Sequence, residues 1–529
     1  MKKFYITAFA LALTATCSAE SAVDAYQLSQ SDLRGSARFV SMGGAFTALG
    51  GDISTLNQNP AGIGIYRKSE IGFTLDINMT SSDVSSNVGH FKEDKTHTFC
   101  NNFGYIGSVS LDSDVMKTFN WGVSYSRVPS INRSYRMGGG ARNPILSNSI
   151  TNYIASFTIC DVSDLEFGGG DYPDYNPYFG DADWLSVLAH QSCLISNDGK
   201  NSYNGLWQQG STSGDMQALI KERGYVDEYS IDFGGNICDV VYWGLGFGIT
   251  DISYNEFTIY DEELKNACVP NTNAGWKNGN GGFTMENHKL ITGSGFNFKT
   301  GLIFKPINEF RLGIAVHTPT YYKLTQDFKA YSDYSFDVNG ESVKGSVETE
   351  LGYFDWKLQT PWKLMFGAAA VIGGRGIISM DYEYAAYDKM DVSDRYDIYD
   401  YSLINEDIST YYKPQHTVRI GGEFRVTPDF SLRAGYNYQK SGVEKDAQDG
   451  NIEVYTTGTN PAYSMDKKTE YITFGLGYKY QAFYADLAYV YKHRSSYYYT
   501  HRMFNGYKPY KHILDTEENN IVISLGFKF

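Results

Sequence analysis

After its N-terminus the sequence has no apolar run approaching the 18 or so consecutive residues that a membrane-spanning helix requires. Cysteine is scarce, 6 among 529 residues, with no CxxC pair, and the nine histidines include no HExxH. These absences remove helical membrane proteins, thiolate zinc sites and zincin-type metalloproteases. Positive charge is also short, with 45 Lys and Arg against 60 Asp and Glu and a net charge of −15. Nucleic-acid binders select for basic patches, so that class falls away too. Proline is down to 13 residues while tyrosine rises to 44 and aromatics to 16%. A membrane β-barrel reconciles these facts: lipid-facing residues alternate with polar lumen residues, so mean hydropathy looks soluble while aromatics gather in two girdles.

The first residues have the layout of a secretory signal. Lys2 and Lys3 precede an apolar run at 4–13 and then small residues, which predicts a signal peptide over 1–22, cut near Ala19 or Ala22. Thr14, Ala15 and Thr16 are a poor lead-in for lipid attachment at Cys17. Five cysteines then remain, so at least one stays unpaired within the chain; Cys160 and Cys193 are the best-placed couple on the outer side, and Cys238 falls at the inner end.

From about Ser69 onward one pattern repeats: some ten residues of strict alternation, a connector, another alternating run. The last run is the clearest. Ile521, Ile523, Leu525, Phe527 and Phe529 point one way, and Val522, Ser524, Gly526 and Lys528 the other. Fourteen such runs are predicted, at 69–80, 98–111, 118–129, 228–238, 240–256, 290–305, 308–325, 361–372, 376–388, 414–427, 429–441, 469–480, 482–494 and 519–529. Connectors after even-numbered runs are short and those after odd-numbered runs long, the longest being an extracellular insertion at 130–227. Short periplasmic turns and long outer loops are the signature of a Gram-negative outer-membrane barrel, with 69–529 forming the transmembrane domain. Fourteen strands enclose a lumen too wide for wall side chains alone to fill. The preceding segment 23–68, rich in glycine and lacking alternation, is the candidate plug.

That segment reads GSARFVSMGGAFTALGGD at 35–52 and NPAG at 59–62. It resembles the N-terminal hatch of the FadL/TodX family of outer-membrane transporters for long-chain fatty acids and aromatic hydrocarbons. RLGIAVHTP at 311–319, Thr360-Pro361, LRAGY at 432–436 and DLAY at 486–489 resemble barrel segments of that family, while 130–227 has no matching counterpart. The resemblance implies an all-β, fourteen-stranded barrel plugged by the hatch. It further implies an uptake channel by which hydrophobic small molecules diffuse inward, released sideways through the wall near a kinked third strand into outer-membrane lipid. Met42, Gly43, Gly44, Asn59, Pro60 and Ala61 become gating candidates, with a plain structural turn at Asn59-Pro60 as the alternative. Val128 and Pro129 mark either the kink or simply the end of the third strand, since proline cannot donate to a ladder. Phe527 and Phe529 terminate a strand whose lipid face is wholly apolar, which resembles the signal read by barrel-assembly machinery.

Alternation places Asp381, Glu383, Arg419, Glu423, Arg425, Arg433 and Asp486 inside the barrel. Of these Arg419, Glu423, Arg425 and Arg433 are candidate polar anchors for a ligand, or members of an ion-pair network between plug and wall. In 130–227, Trp184, Val187, Leu188 and Ile195 recur at near-helical spacing, as do Met216, Leu219 and Ile220, which predicts two amphipathic helices over the mouth. The acidic stretch 388–407 lacks the glycine and closing glutamate of an EF-hand loop and reads as solvated surface. His317, His416 and His493 lie in or near strands without a nucleophile beside them, so neither enzyme activity, cofactor nor metal is expected. The chain is expected to be monomeric. The competing reading is a surface scaffold or adhesin that acts through its outer loops.

Overall fold

The computed structural model describes residues 21–86, 89–138, 148–169, 173–197, 202–271, 275–456 and 458–529. The predicted signal peptide and Cys17 therefore lie outside the described residues, apart from Ser21 and Ala22.

Fourteen antiparallel strands close into a barrel. They are β1 (Glu70–Ser86), β2 (Gly89–Ser110), β3 (Met116–Gly138), β4 (Ser213–Ile237), β5 (Val241–Asn271), β6 (Gly275–Ile307), β7 (Phe310–His317 with Tyr321–Val338), β8 (Glu341–Glu348, Gly352–Gln359 and Lys363–Ile372), β9 (Gly376–Ala385 with Asp391–Asp394), β10 (Gln415–Arg425), β11 (Phe430–Lys440), β12 (Tyr463–Tyr480), β13 (Phe483–Tyr499) and β14 (His512–Lys528). The pieces of β7, β8 and β9 count as single strands because they pair with the same neighbours. Pro319 and Pro361 lie in two of the interruptions, where a ladder donor is missing. β1 pairs with both β2 and β14, and Ser69 and Phe529 exchange two 3.0 Å backbone hydrogen bonds at the seam.

Each strand sorts its side chains as the alternation predicts. In β14, Ile523, Leu525 and Phe527 are 39%, 45% and 45% exposed, whereas Val522 and Ser524 are at most 2% exposed. The exposed row belongs to an apolar band that circles the barrel and faces lipid, capped by aromatics such as Tyr125, Tyr229, Tyr321, Tyr382, Tyr436 and Tyr489. The short inner connectors are tight turns. Cys238 and Asp239 at φ 53° and 58°, like Gly373 and Gly374 at 57° and 65°, take the left-handed conformations that match the twist of a hairpin.

The outer side differs from the sequence expectation in its strands and in its helices. The stretches 81–97, 257–289 and 326–360 are mostly not loops: β1 with β2, β5 with β6 and β7 with β8 simply continue beyond the lipid. β5 has 31 residues, about three times the nine to eleven needed to cross a bilayer. Above the lipid both strand faces can be polar, so the hydropathy alternation fades while backbone pairing persists. Likewise β3 runs to Gly138 and β4 begins at Ser213, so the insertion outside the barrel strands is 139–212. Met216, Leu219 and Ile220 lie in β4, not in a helix; Met216 and Ile220 alternate inward into the core while Leu219 lies on the other face. The other predicted helix is present as α4 (Trp184–Gln191), N-capped by Asp183 and packed beside α3 (Ile150–Phe157), but Ile195 has left it for a small hairpin, Ile195–Asn197 with Tyr203–Gly205. These elements share one apolar core with the raised strands, forming a cap. In 388–407 the acids serve turns: Asp394 accepts from the Tyr396 and Ile398 amides, and Asp400 from Ser402.

Candidate functional site

The lumen holds the segment from α1 (Ala22–Leu28) through α2 (Ala37–Ser41) to the 3-10 turns Ile53–Asn57 and Pro60–Ile65. Side-chain caps start each of them: Ser21, Ser36, Asp52 and Asn59 accept from backbone amides of the following turn. The segment is buried almost throughout and fills the lumen as a plug between the strands.

Two kinds of contact fix it to the wall. One is backbone proximity at inward-facing glycines. A Cβ at Gly421 or Gly435 would overlap Met42 or Gly43, one at Gly313 would overlap Thr47, and one at Gly244 would overlap Pro60. The other is buried charge. Arg34 reaches Asp76 on β1 at 2.8 Å and Glu518 on β14 at 3.3 Å. Lys492 of β13 joins Asp32 at 2.8 Å to Glu518 at 2.7 Å, and Lys289 holds Asp24 at 2.7 Å. At the inner end Arg38 meets Glu423 at 3.0 Å, Glu423 meets Arg433 at 2.7 Å, and Arg433 meets Asp486 at 2.5 Å.

The predicted residues are thus distributed as follows. Met42, Gly43, Gly44, Asn59, Pro60 and Ala61 all lie buried in the plug, the first two against β10 and β11 and Asn59 and Pro60 against β5 and β6. The Asn59 amide bonds to backbone within the plug, donating to Thr47 O at 2.6 Å and accepting from Ala61 N. Arg419 is paired with Glu383 at 2.6 Å, and Glu423 and Arg433 belong to the Arg38 cluster. Arg425 departs from the expectation: it ends β10 and is exposed beside the turn, because the lumen side opens to solvent there. Phe527 and Phe529 stack at 5.9 Å on the lipid side of the seam. The described cysteines are all free, Cys160 and Cys193, the best-placed outer couple, among them.

Pro129 does not end β3. The β3–β4 register slips by one residue between Arg127 and Ser130, a bulge centred on Val128-Pro129, and the strand continues. β2 carries a bulge at the same level, at Asn101, whose amide turns to the Gly35 carbonyl of the plug at 2.9 Å. The β2–β3 ladder stops just there, at Asn102 opposite Ser126. Beyond it β2 pairs on with β1 alone and β3 with β4 alone. The wall is therefore unstitched between β2 and β3, at the level of the outer aromatics Tyr125 and Tyr229. Arg127 lies at the edge, bidentate to Asp227 at 2.8 and 2.9 Å, with its guanidinium 5.2 Å from the Phe99 ring centre.

Behind that edge lies a cavity of about 160 Å³. Arg127, Val128 and Pro129 line it from the wall, residues 28–34 with Asn57 and Gln58 from the plug, and Val226, Tyr322, Pro361 and Met365 add apolar surface. Its far side is charged. Lys299 pairs with Glu228 and Arg419 with Glu383, while His317 lies 2.8 Å from Gln58 O. Lys363 differs: among the described residues its ammonium forms no ion pair and donates to the Ser31 hydroxyl at 3.2 Å. Lys299 was legible as an inward residue from its alternation with Phe298 and Phe296; nothing in the sequence marks Lys363 or Arg34 as partners of the plug.

No protein-family model and no curated protein matches the sequence. Solved structures do resemble the fold. A FadL homologue of Pseudomonas aeruginosa superposes with a TM-score of 0.50 at 12% identity, over 94% of this chain and 99% of that one. A deltaS2 mutant of the TodX monoaromatic hydrocarbon channel gives 0.50 at 14% identity, over 94% and 100%. The chain has the plugged, fourteen-stranded β-barrel fold of these FadL/TodX-type structures.

Proposed function

We propose that this FadL/TodX-type barrel is an uptake channel for hydrophobic small molecules, in which the plug gates a path ending at the unstitched edge between β2 and β3. The observation that carries this reading is the coincidence of three features at one level. Both neighbouring strands bulge, their ladder stops, and the internal cavity between plug and wall reaches the same residues, Arg127, Val128 and Pro129. A lipophile leaving there enters bilayer rather than water, which avoids the cost of hydrating apolar surface.

The cavity favours amphipathic cargo. Its apolar flank suits a chain or ring, and Lys363 offers a cation not already spent on a carboxylate. A long-chain fatty acid meets both demands, its carboxylate exchanging water for a charge-assisted bond. The test is uptake of labelled palmitate and labelled toluene by cells lacking other such channels. Wild type should exceed the empty vector for at least palmitate; equality for both cargoes would end the transport reading.

A further inference from the structure

On the outer tip, far from the plug, the cap carries an open cleft of about 560 Å³. Its walls come from four places in the chain: α3, the segment 203–209, the far end of the β5–β6 hairpin, and the loop between β13 and β14. One residue in five of this protein is charged. Yet among the described residues no Asp, Glu, Lys or Arg lines this cleft. The exposed side-chain amides of Asn204, Gln208, Gln209 and Asn278 face it together with the half-buried rings of Trp207, Trp276 and Tyr507.

The walls are cross-braced before any ligand arrives. Asn152 donates to the Trp207 carbonyl at 2.9 Å and accepts from the Trp207 amide at 3.0 Å, which holds the tryptophan segment to α3. Tyr507 donates to Gln209 at 3.2 Å, which fixes the amide oxygen and leaves the amide nitrogen's two donors unspent on this bond. Such bracing lowers the ordering cost of binding.

From this lining we infer that the cleft binds an uncharged sugar. An amide presents two donors and an acceptor, and sugar hydroxyls are donors and acceptors at once, so the two match without any ion pair. The negative face of an indole or phenol ring packs against the positive C–H face of a pyranose, as it does against the positive edge of another ring. A charged ligand would be desolvated with no counter-charge among the described lining residues, and a purely apolar one would strand the amides. The volume falls within the 300–1,000 Å³ or so typical of small-ligand sites. The sugar is either a free oligosaccharide or the headgroup of a surface glycolipid; both present the same chemistry.

Titration calorimetry on the full-length protein in detergent tests this, with maltotetraose, chitotetraose and mannotetraose as probes and oligogalacturonate as the charged control. Saturable binding of at least one neutral probe is expected, weakened about tenfold or more by Trp276→Ala and by the pair Asn204→Ala and Gln209→Ala. Heat-modifiable mobility and palmitate uptake should be unchanged in both variants, since neither touches plug or lumen. Core oligosaccharide released from lipopolysaccharide separates the sources: tighter binding than the free tetrasaccharides assigns the headgroup, weaker binding the free glycan. No saturable heat with any neutral probe up to about 10 mM, equal affinity in the variants, or preference for oligogalacturonate or for an uncharged peptide would overturn the assignment.

Discussion

Asn59 donates its side-chain amide to the carbonyl of Thr47, 2.6 Å away, and so ties the second half of the plug to the first. Across from it Gly301 of β6 leaves room for that amide, and a Cβ there would overlap the Asn59 oxygen. Asn59→Ala should cost about 1–3 kcal/mol of plug stability by leaving the buried Thr47 carbonyl unpaired. The barrel should still assemble, while plug peptides exchange amide hydrogens faster and palmitate uptake changes. Gly301→Ala should do the same from the wall side. Unaltered exchange in both variants would show that the plug does not depend on this tie.

Removing one residue from the β3 bulge addresses the wall. Deleting Val128 restores one-to-one register between Arg127 and Ser130, opposite Asp227 and Tyr225. The regular strand is then free to pair further with β2. Assembly should be normal and uptake should fall at least several-fold. Full uptake by the deletion variant would mean that cargo leaves elsewhere.

Lys363→Met separates head from tail. The substitution keeps the apolar stem and removes the charge. Palmitate uptake should drop about tenfold, the worth of a charge-assisted bond of roughly 1.5 kcal/mol, whereas toluene uptake should be unaffected. An equal loss for both cargoes would assign Lys363 to packing.

The cap should loosen in acid. His501 lies buried against Tyr153, ring centres 5.0 Å apart, and burial pushes its imidazole down to about 4 despite the bond to the Arg502 carbonyl. A histidine depressed in the folded state gives stability that is complete above its unfolded value, about 6.5, and is lost as pH falls from there toward 4. Limited proteolysis of 150–210 should therefore accelerate between those pH values, and His501→Phe should flatten the profile. A wild-type profile already flat across this window would refute the linkage.

Topology can be read from native thiols. Cys238 is exposed in the β4–β5 turn, and Cys160, Cys193 and Cys268 lie in the cap or at its edge. An impermeant maleimide should reach Cys238 only after the outer membrane is opened. Mass spectrometry should find Cys160 and Cys193 both reduced. Labelling of Cys238 on intact cells would invert the barrel.

Strand number and facing were readable because lipid and lumen impose opposite demands on alternate residues, as Ile523 beside Ser524 illustrates. The same signal vanishes where β5 and β6 rise out of the lipid, so 257–289 resembles a loop until its backbone pairing is seen. Met216, Leu219 and Ile220 carry spacing compatible with a helix, but Met216 and Ile220 also satisfy a period of two, and strand pairing with β5 prevails. The plug was recognisable from its glycines and its NPAG turn. Its partners were not, because Arg34 meets Asp76 and Glu518 across separations of 42 and 484 residues, which local pattern cannot encode.

That last contact bears on how the molecule is put together. Asp76 and Glu518 belong to the first and last strands, which become neighbours only when the cylinder shuts. Arg34, together with the bond from the Ala37 amide to the Ser524 hydroxyl, spans the joint from within. A guest residue thereby acts as the button on the coat. Residues 22–66 lie inside the finished cylinder, so the charge that bridges its first and last strands comes from a segment that belongs to neither. Lys492 of β13 adds a second cation at Glu518, so the two acids of the joint are met from the plug and from the wall at once.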